Sequence, residues 1–309
     1  VSKNSAYEFS HLSVSNSDAS AGVSVTSPYS ENLGGNKFWS FANPAKEGDL
    51  ITWTGAEDSN WFNSGNWVDR YGDTRTVAPG DRVSIPGAPE NQPVARAGDI
   101  AVCDLTVEAG ASLELDSSNL TVTNALSVVG SLTADGNERI VCKGDVTFDG
   151  VSTYSGAGAT FALTDGAVQN VMFGGKSFGA FEISKDGGEV HFADGLTADS
   201  FVLVAGGAFA VEFKSGATYA FGDFTACGYA GTEPAVTFRA SETETPWTVS
   251  ASRRSFVSGV SVHLSNVSVR RTDFEDTPDF FGPSIELPVK IGGSSSLGLT
   301  ASDQPSKSW

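Results

Sequence analysis

The sequence predicts an all-β chain wound as a right-handed parallel β-helix, or β-solenoid, with a Trp-rich capping segment. Three observations carry that expectation. Leu105-Thr106-Val107, Leu113-Glu114-Leu115, Leu120-Thr121-Val122, Leu126-Ser127-Val128 and Leu132-Thr133 follow one another with only small or turn residues between them. Each reads apolar then polar, and period-two alternation puts the apolar side chains on one face of a short strand. Gly110, Gly130 and Gly150 recur at an interval of roughly 20 residues, about one coil of a β-solenoid. Gly or Ser interrupts nearly every window in which a helical period could develop, so almost no helix is expected. The hand follows from the general preference for right-handed parallel crossovers.

The totals narrow the function classes. Across 309 residues the net charge is −18, from 19 basic and 37 acidic side chains, and the only basic pairs are Arg253-Arg254 and Arg270-Arg271. Phosphate binding needs concentrated Lys and Arg, so no nucleic-acid partner is expected, nor docking on anionic lipid. No apolar run is long enough to insert in a membrane, and Val1 does not open a signal peptide, which suggests a mature or excised piece of a larger precursor. Cys103, Cys142 and Cys227 are too scattered for a disulfide scaffold and lack zinc spacing; they read as small buried hydrophobes.

Four segments follow along the chain. Residues 1–45 carry Leu12-Ser13-Val14 and Val23-Ser24-Val25 and run to Gly34-Gly35-Asn36-Lys37-Phe38-Trp39-Ser40-Phe41 before a break at Asn43-Pro44. Residues 46–98 form the capping region, dense in Trp at Trp53, Trp61 and Trp67, with Tyr71 close behind. Residues 99–270 are the coils. Beyond Met172 these become rich in Phe, from Phe178 and Phe181 through Phe224, as stacked like positions in successive coils would give. Residues 271–309 form an irregular junction, interrupted by Phe280-Phe281, Pro283 and Pro288.

The two ends also match each other. Laying Val1–Ser20 over Val249–Ser268 pairs Val1 with Val249, Ser2 with Ser250, Ser10 with Ser258, Ser13 with Ser261, Val14 with Val262, Ser17 with Ser265 and Ser20 with Ser268. Each end closes on Trp, at Trp39 and Trp309. On that match, residues 1–45 are the closing segment of a preceding module, or a strand segment used in assembly.

Thr52-Trp53-Thr54-Gly55 with Trp61 and Asn66-Trp67, then Gly80-Asp81-Arg82-Val83-Ser84-Ile85-Pro86, Asn91-Gln92-Pro93-Val94 and Leu105 through Leu113, resembles the opening of β-helical repeat modules of large bacterial surface proteins, the adhesin-like and autotransporter-passenger-like kind. Ser13 through Gly22, running to Phe41, is similar to the tail of such modules. Together these cover roughly half the chain. The resemblance implies an extracellular or cell-surface setting and a Trp box that caps the first coil, because an exposed coil end is an open sheet edge.

β-Helices also house polysaccharide-processing enzymes, whose chemistry needs carboxylates gathered on one groove. The acidic residues Asp99, Asp104, Asp116, Asp135, Asp145, Asp149, Asp165, Asp186, Asp194, Asp199 and Asp223 are dispersed, and most sit beside Gly or Ser, where Asp serves turns. His11, His191 and His263 lack metal spacing and lie near no nucleophile. The sequence therefore gives no catalytic, cofactor or metal residue and predicts no enzyme; calcium at the Asp-Gly turns is the one cofactor it leaves open.

The leading expectation is an extracellular structural module of a bacterial stalk, coat or adhesive fibre. It would meet copies of itself or adjacent modules head to tail through Leu12, Val14, Val23, Val25, Phe38, Trp39, Phe41 and Trp309. The alternative is a module binding extracellular glycans by stacking on Trp53, Trp61, Trp67 or Tyr71; a polysaccharide-processing enzyme comes third.

Overall fold

A computed structural model describes residues 9, 12–21, 25–27, 30–41, 48–96, 98–228, 235–242, 245, 247–258, 261–264 and 267–270. From Leu50 onward, short strands pair in parallel with a strand one coil later, building a β-solenoid of about 10 turns. Three ladders run along it, and the chain visits them in one fixed order in each coil.

The first ladder stacks Leu50–Trp53, Arg82–Ile85, 104–107, 125–128, Asp145–Phe148, Gln169–Met172, Glu189–Phe192, Phe209–Phe213, Ala235–Ala240 and Ser261–Leu264. The second begins as a four-rung sheet, Val94–Arg96, Ser112–Asp116, Ser131–Thr133 and Thr153–Ser155. It resumes in the opening residues of the long strands Ser177–Lys185, Leu196–Ala205, Thr218–Gly228 and Trp247–Ser258, and ends at Val267–Arg270. The third stacks 100–102, 120–122, Arg139–Cys142 and Thr160–Thr164 on the closing residues of those same long strands. The first ladder already includes Leu50–Trp53 and Arg82–Ile85, so the coils begin inside the Trp-rich region rather than at residue 99.

Alternation fills the interior. In the third ladder Ile100, Leu120, Ile140, Phe161, Phe181, Phe201 and Phe224 lie in register, one per coil, and all are buried. The four Phe rings stack at 5.9, 5.9 and 5.6 Å, with interplanar angles of 9°, 17° and 10°. Removing each such side chain from water contributes roughly 1.5–3 kcal/mol, and the ring contacts add to it.

Corners are tied by side chains from the next coil. Asp99 Oδ1 accepts from Asn119 N (3.0 Å) and Nδ2 (3.1 Å), and Asn119 Oδ1 accepts from Arg139 N at 2.8 Å, each partner 20 residues away. Gly130 sits where a Cβ would come within 2.2 Å of the Ala111 carbonyl oxygen, so this glycine allows two coils to approach.

One outward residue is covered. Ala162 lies between Val141 and Glu182 on the outer face of the third ladder, yet is 0% exposed. The Arg139 guanidinium reaches across that rung to both Glu182 oxygens, at 2.6 and 3.0 Å, and closes over it.

The N-terminal segment also pairs in parallel, in two small sheets: Ser13–Val14 with Glu31–Asn32, and Val25–Thr26 with Trp39–Ser40. Ser13 and Glu31 are 18 residues apart, close to one coil of the solenoid. Among the described residues no helix is long and apolar enough to cross a membrane.

Candidate functional site

The Trp box closes the end of the solenoid. After Trp53 the chain loops out and returns as Trp67–Asp69, which runs antiparallel along Leu50–Trp53, opposite the edge that takes Arg82–Ile85. The open N-terminal edge of the first ladder is thereby paired by a strand of opposite direction, which cannot continue a parallel ladder. Trp67 sits edge-on to Trp53 at 4.8 Å and to Trp61 at 4.6 Å. Their indole N–H groups are used inside: Trp53 Nε1 donates to the Asn91 carbonyl at 2.7 Å, and Trp67 Nε1 to the Trp61 carbonyl at 2.6 Å.

The loop between them is knotted by Asn66, which is fully buried. Its Oδ1 accepts from Glu57 N and Asp58 N, while Nδ2 donates to Asp58 Oδ1 at 2.6 Å and to the Asn60 carbonyl at 3.0 Å. Asp58 is held below the usual carboxylate range by the Asn60 backbone N–H and then by the Asn66 and Asn63 side chains. Asp81, also fully buried, takes both arms of Arg75, at 2.5 and 2.9 Å, and the Ala78 N–H.

Trp53, Trp61 and Trp67 are 1%, 3% and 0% exposed. A sugar stacks on an open ring face, and these three have none. Tyr71 is half-buried, with the Arg70 guanidinium 4.9 Å from its ring centre; Arg70 in turn meets Asp49 at 3.2 Å.

The N-terminal segment contrasts with that closed end. Leu12 and Phe38 are exposed, together with Phe9 and Leu33, while Val14, Val25, Trp39 and Phe41 are half-buried. Trp39 stacks on Phe41 at 5.8 Å, and its Nε1 donates to Ser17 Oγ. Phe38 also holds a left-handed backbone, φ 58°, uncommon for a bulky residue. Among the described residues of this segment the buried positions are Ser27 and Ser30, not apolar ones. Val23 and Trp309 lie outside the described residues.

Several of the polar residues weighed for chemistry are engaged in structure, while His11 lies outside the described residues. Asp194 accepts from the Phe173 and Gly174 N–H groups, Asp149 from Val151 N, and Asp135 from Ser155 Oγ. His191 shares Glu189 with Arg239, at 2.6 and 2.7 Å, and these contacts, His191 first, hold the Glu189 carboxyl low. Cys103, Cys142 and Cys227 are free thiols, and burial pushes the Cys142 thiol up. Among the described residues no group of three or more His, Cys, Asp or Glu could hold a metal ion.

Sequence reasoning passed over one charged residue. Lys185 is 2% exposed; its Nζ donates to the Ala167 carbonyl (2.9 Å) and to Gln169 Oε1 (2.8 Å), below a niche of about 340 Å³ shaped by Asp165, Gly166, Ser184 and Asp186. Gln169, buried too, passes the tie back to the Cys142 and Gly144 carbonyls. Desolvation lowers the Lys185 pKa from its usual value to about 8. The signal was the alternation itself, since Phe181, Ile183 and Lys185 share the inward face.

No family model matches this chain, and neither does any curated protein or solved structure. The fold and the two ends of the molecule therefore carry the functional reading.

Proposed function

We propose that this chain is an extracellular structural module of a bacterial surface stalk, coat or adhesive fibre, joined end to end to copies of itself or to adjacent modules through its terminal segments. The observation that carries the reading is the N-terminal segment, which pairs like a coil yet leaves Leu12, Leu33 and Phe38 exposed. A coil whose apolar residues face water gains its stability from a neighbour, as a solenoid repeat does. The capped end supports the same division of labour, because the Trp box terminates one ladder with an antiparallel strand and buried indoles. The reading is non-catalytic and needs no cofactor.

Negative-stain electron microscopy across a concentration series, with and without a calcium chelator, tests it. Unbranched fibres that lengthen with concentration are expected, with an axial repeat no shorter than the roughly 50 Å that 10 coils span at the strand spacing. Isolated rods at every concentration would overturn end-to-end joining, and fibres lost only with chelator would add calcium to the joint.

A further inference from the structure

The N-terminal segment has an open edge with a defined direction. Glu31 N and Leu33 N donate to the Leu12 and Val14 carbonyls, at 2.6 and 2.8 Å. In a parallel ladder successive residues turn their backbone groups to opposite edges, so the N–H and C=O of Ser13 face away from Glu31–Asn32. Among the described residues no strand pairs there. Val25–Thr26 also has its strand partner toward later residues, and its other side meets an earlier residue of the same chain, Phe9, whose N–H donates to the Thr26 carbonyl at 3.4 Å. The other side of Ser13–Val14 is likewise where a preceding coil would lie.

The sequence match says which coil that is. Ser13-Val14 aligns with Ser261-Val262, and both dipeptides open strands, Ser13–Val14 and Ser261–Leu264. The isolated bridge at Asp18 also falls one residue before the position equivalent to Val267, where the next strand begins. Within the solenoid the preceding neighbour of Ser261–Leu264 is Ala235–Ala240, with Ser261 beside Ala235 and Val262 beside the buried Val236.

We propose that Ser13–Val14 of one copy takes the seat of Ser261-Val262 on the Ala235–Ala240 rung of a second copy, so that copies join by exchanging a coil rather than by stacking finished ends. This rests on the end-to-end reading and deepens it by naming the partner surface. The exchange brings the missing ladder bonds to Ser13 and sets Val14 in register with Val236. It is heterologous and does not close on itself, which gives a polar filament.

Cysteine cross-linking of the full chain tests the register. Replacing the native thiols (Cys103→Ser, Cys142→Ala, Cys227→Ala) and adding Ser13→Cys with Ala235→Cys puts two thiols at paired positions of a parallel ladder, within disulfide reach. Mild oxidation should give a series of covalent multimers that reductant dissolves. The Ser13→Cys, Ser261→Cys chain, which reports stacking beyond an intact last rung, should give none. Multimers from the 13/261 pair alone, equal multimers from both, or a 13/235 cross-link confined to the monomer would each overturn the exchange and leave end-to-end joining to the micrographs. No multimers from either pair, with fibres still visible, overturns the exchange alone; with isolated rods only, both readings fall.

Discussion

Residues 12–41 and residues 100–128 wind alike and are stabilised differently. Both pair in parallel at close to one coil, 18 residues for Ser13 with Glu31 and 20 for Ile100 with Leu120. The second region seals Ile100, Val102, Leu105, Leu120, Val122 and Leu126 inside, whereas the first leaves Leu12, Leu33 and Phe38 in water. Backbone pairing exchanges one set of hydrogen bonds for another and contributes little net. The difference therefore lies in the buried column.

Two substitutions of the same residue type break that comparison most sharply. Phe181→Ala opens a cavity in the stacked column and should cost about 3–5 kcal/mol, whereas Phe38→Ala should stay within about 0.5 kcal/mol in the dispersed chain. Denaturant melts followed by circular dichroism measure both, and equal costs would erase the distinction between the regions. At the capped end, Asn66→Ala leaves the Glu57 and Asp58 N–H groups without their acceptor, while Asp58 Oδ1 and the Asn60 carbonyl keep the Asn60 and Asn63 N–H groups, and should cost about 2–3 kcal/mol. A melt in which the first coils are lost early, read by Trp fluorescence, would show the cap at work.

The smallest effect is a slope. Lys185 has a folded pKa of about 8, below its unfolded value. Between about pH 8 and 10 the unfolded chain binds more protons at this site than the folded one, so the Lys185 contribution to stability rises with pH, by at most about 1.4 kcal/mol per unit. Tyr154 and Tyr219, raised by burial, pull the other way as pH climbs past the ordinary tyrosine range. Melts between pH 8 and 9.5 should therefore show a rising component in the native chain and lose it in Lys185→Met. An unchanged slope would mean that Lys185 keeps its proton inside.

Much of this was legible in the chain. The Leu-Thr-Val triplets and the glycine spacing announced parallel coils because alternation and the bend that follows a rung are local demands, met by residues next to one another. The Phe-rich stretch announced a stacked core for the same reason. Lys185 stayed hidden, since the habit that places charge in water outweighed an alternation that ran from Phe181 through Ile183 straight to it. The strand Trp67–Asp69 stayed hidden too. Its antiparallel return depends on the path of the loop around Asn66, and that path is set by donors and acceptors whose pairing no periodicity describes. The boundary at residue 99 reflects the same limit, since Leu50–Trp53 and Arg82–Ile85 are rungs separated by the long excursion of the cap.

That cap also sets an order of events. Residues 50–94, which supply the cap and the Asn91 and Val94 contacts that fix it, leave the ribosome before any later coil, so the closed end can form while the rest is still being made. What it offers the emerging chain is one paired edge and one free edge. Each later stretch of about 20 residues can settle on the edge left by the last, with backbone pairing that reaches back a single coil. Growth then runs in the direction of synthesis, and the half-built molecule always presents a single growing face.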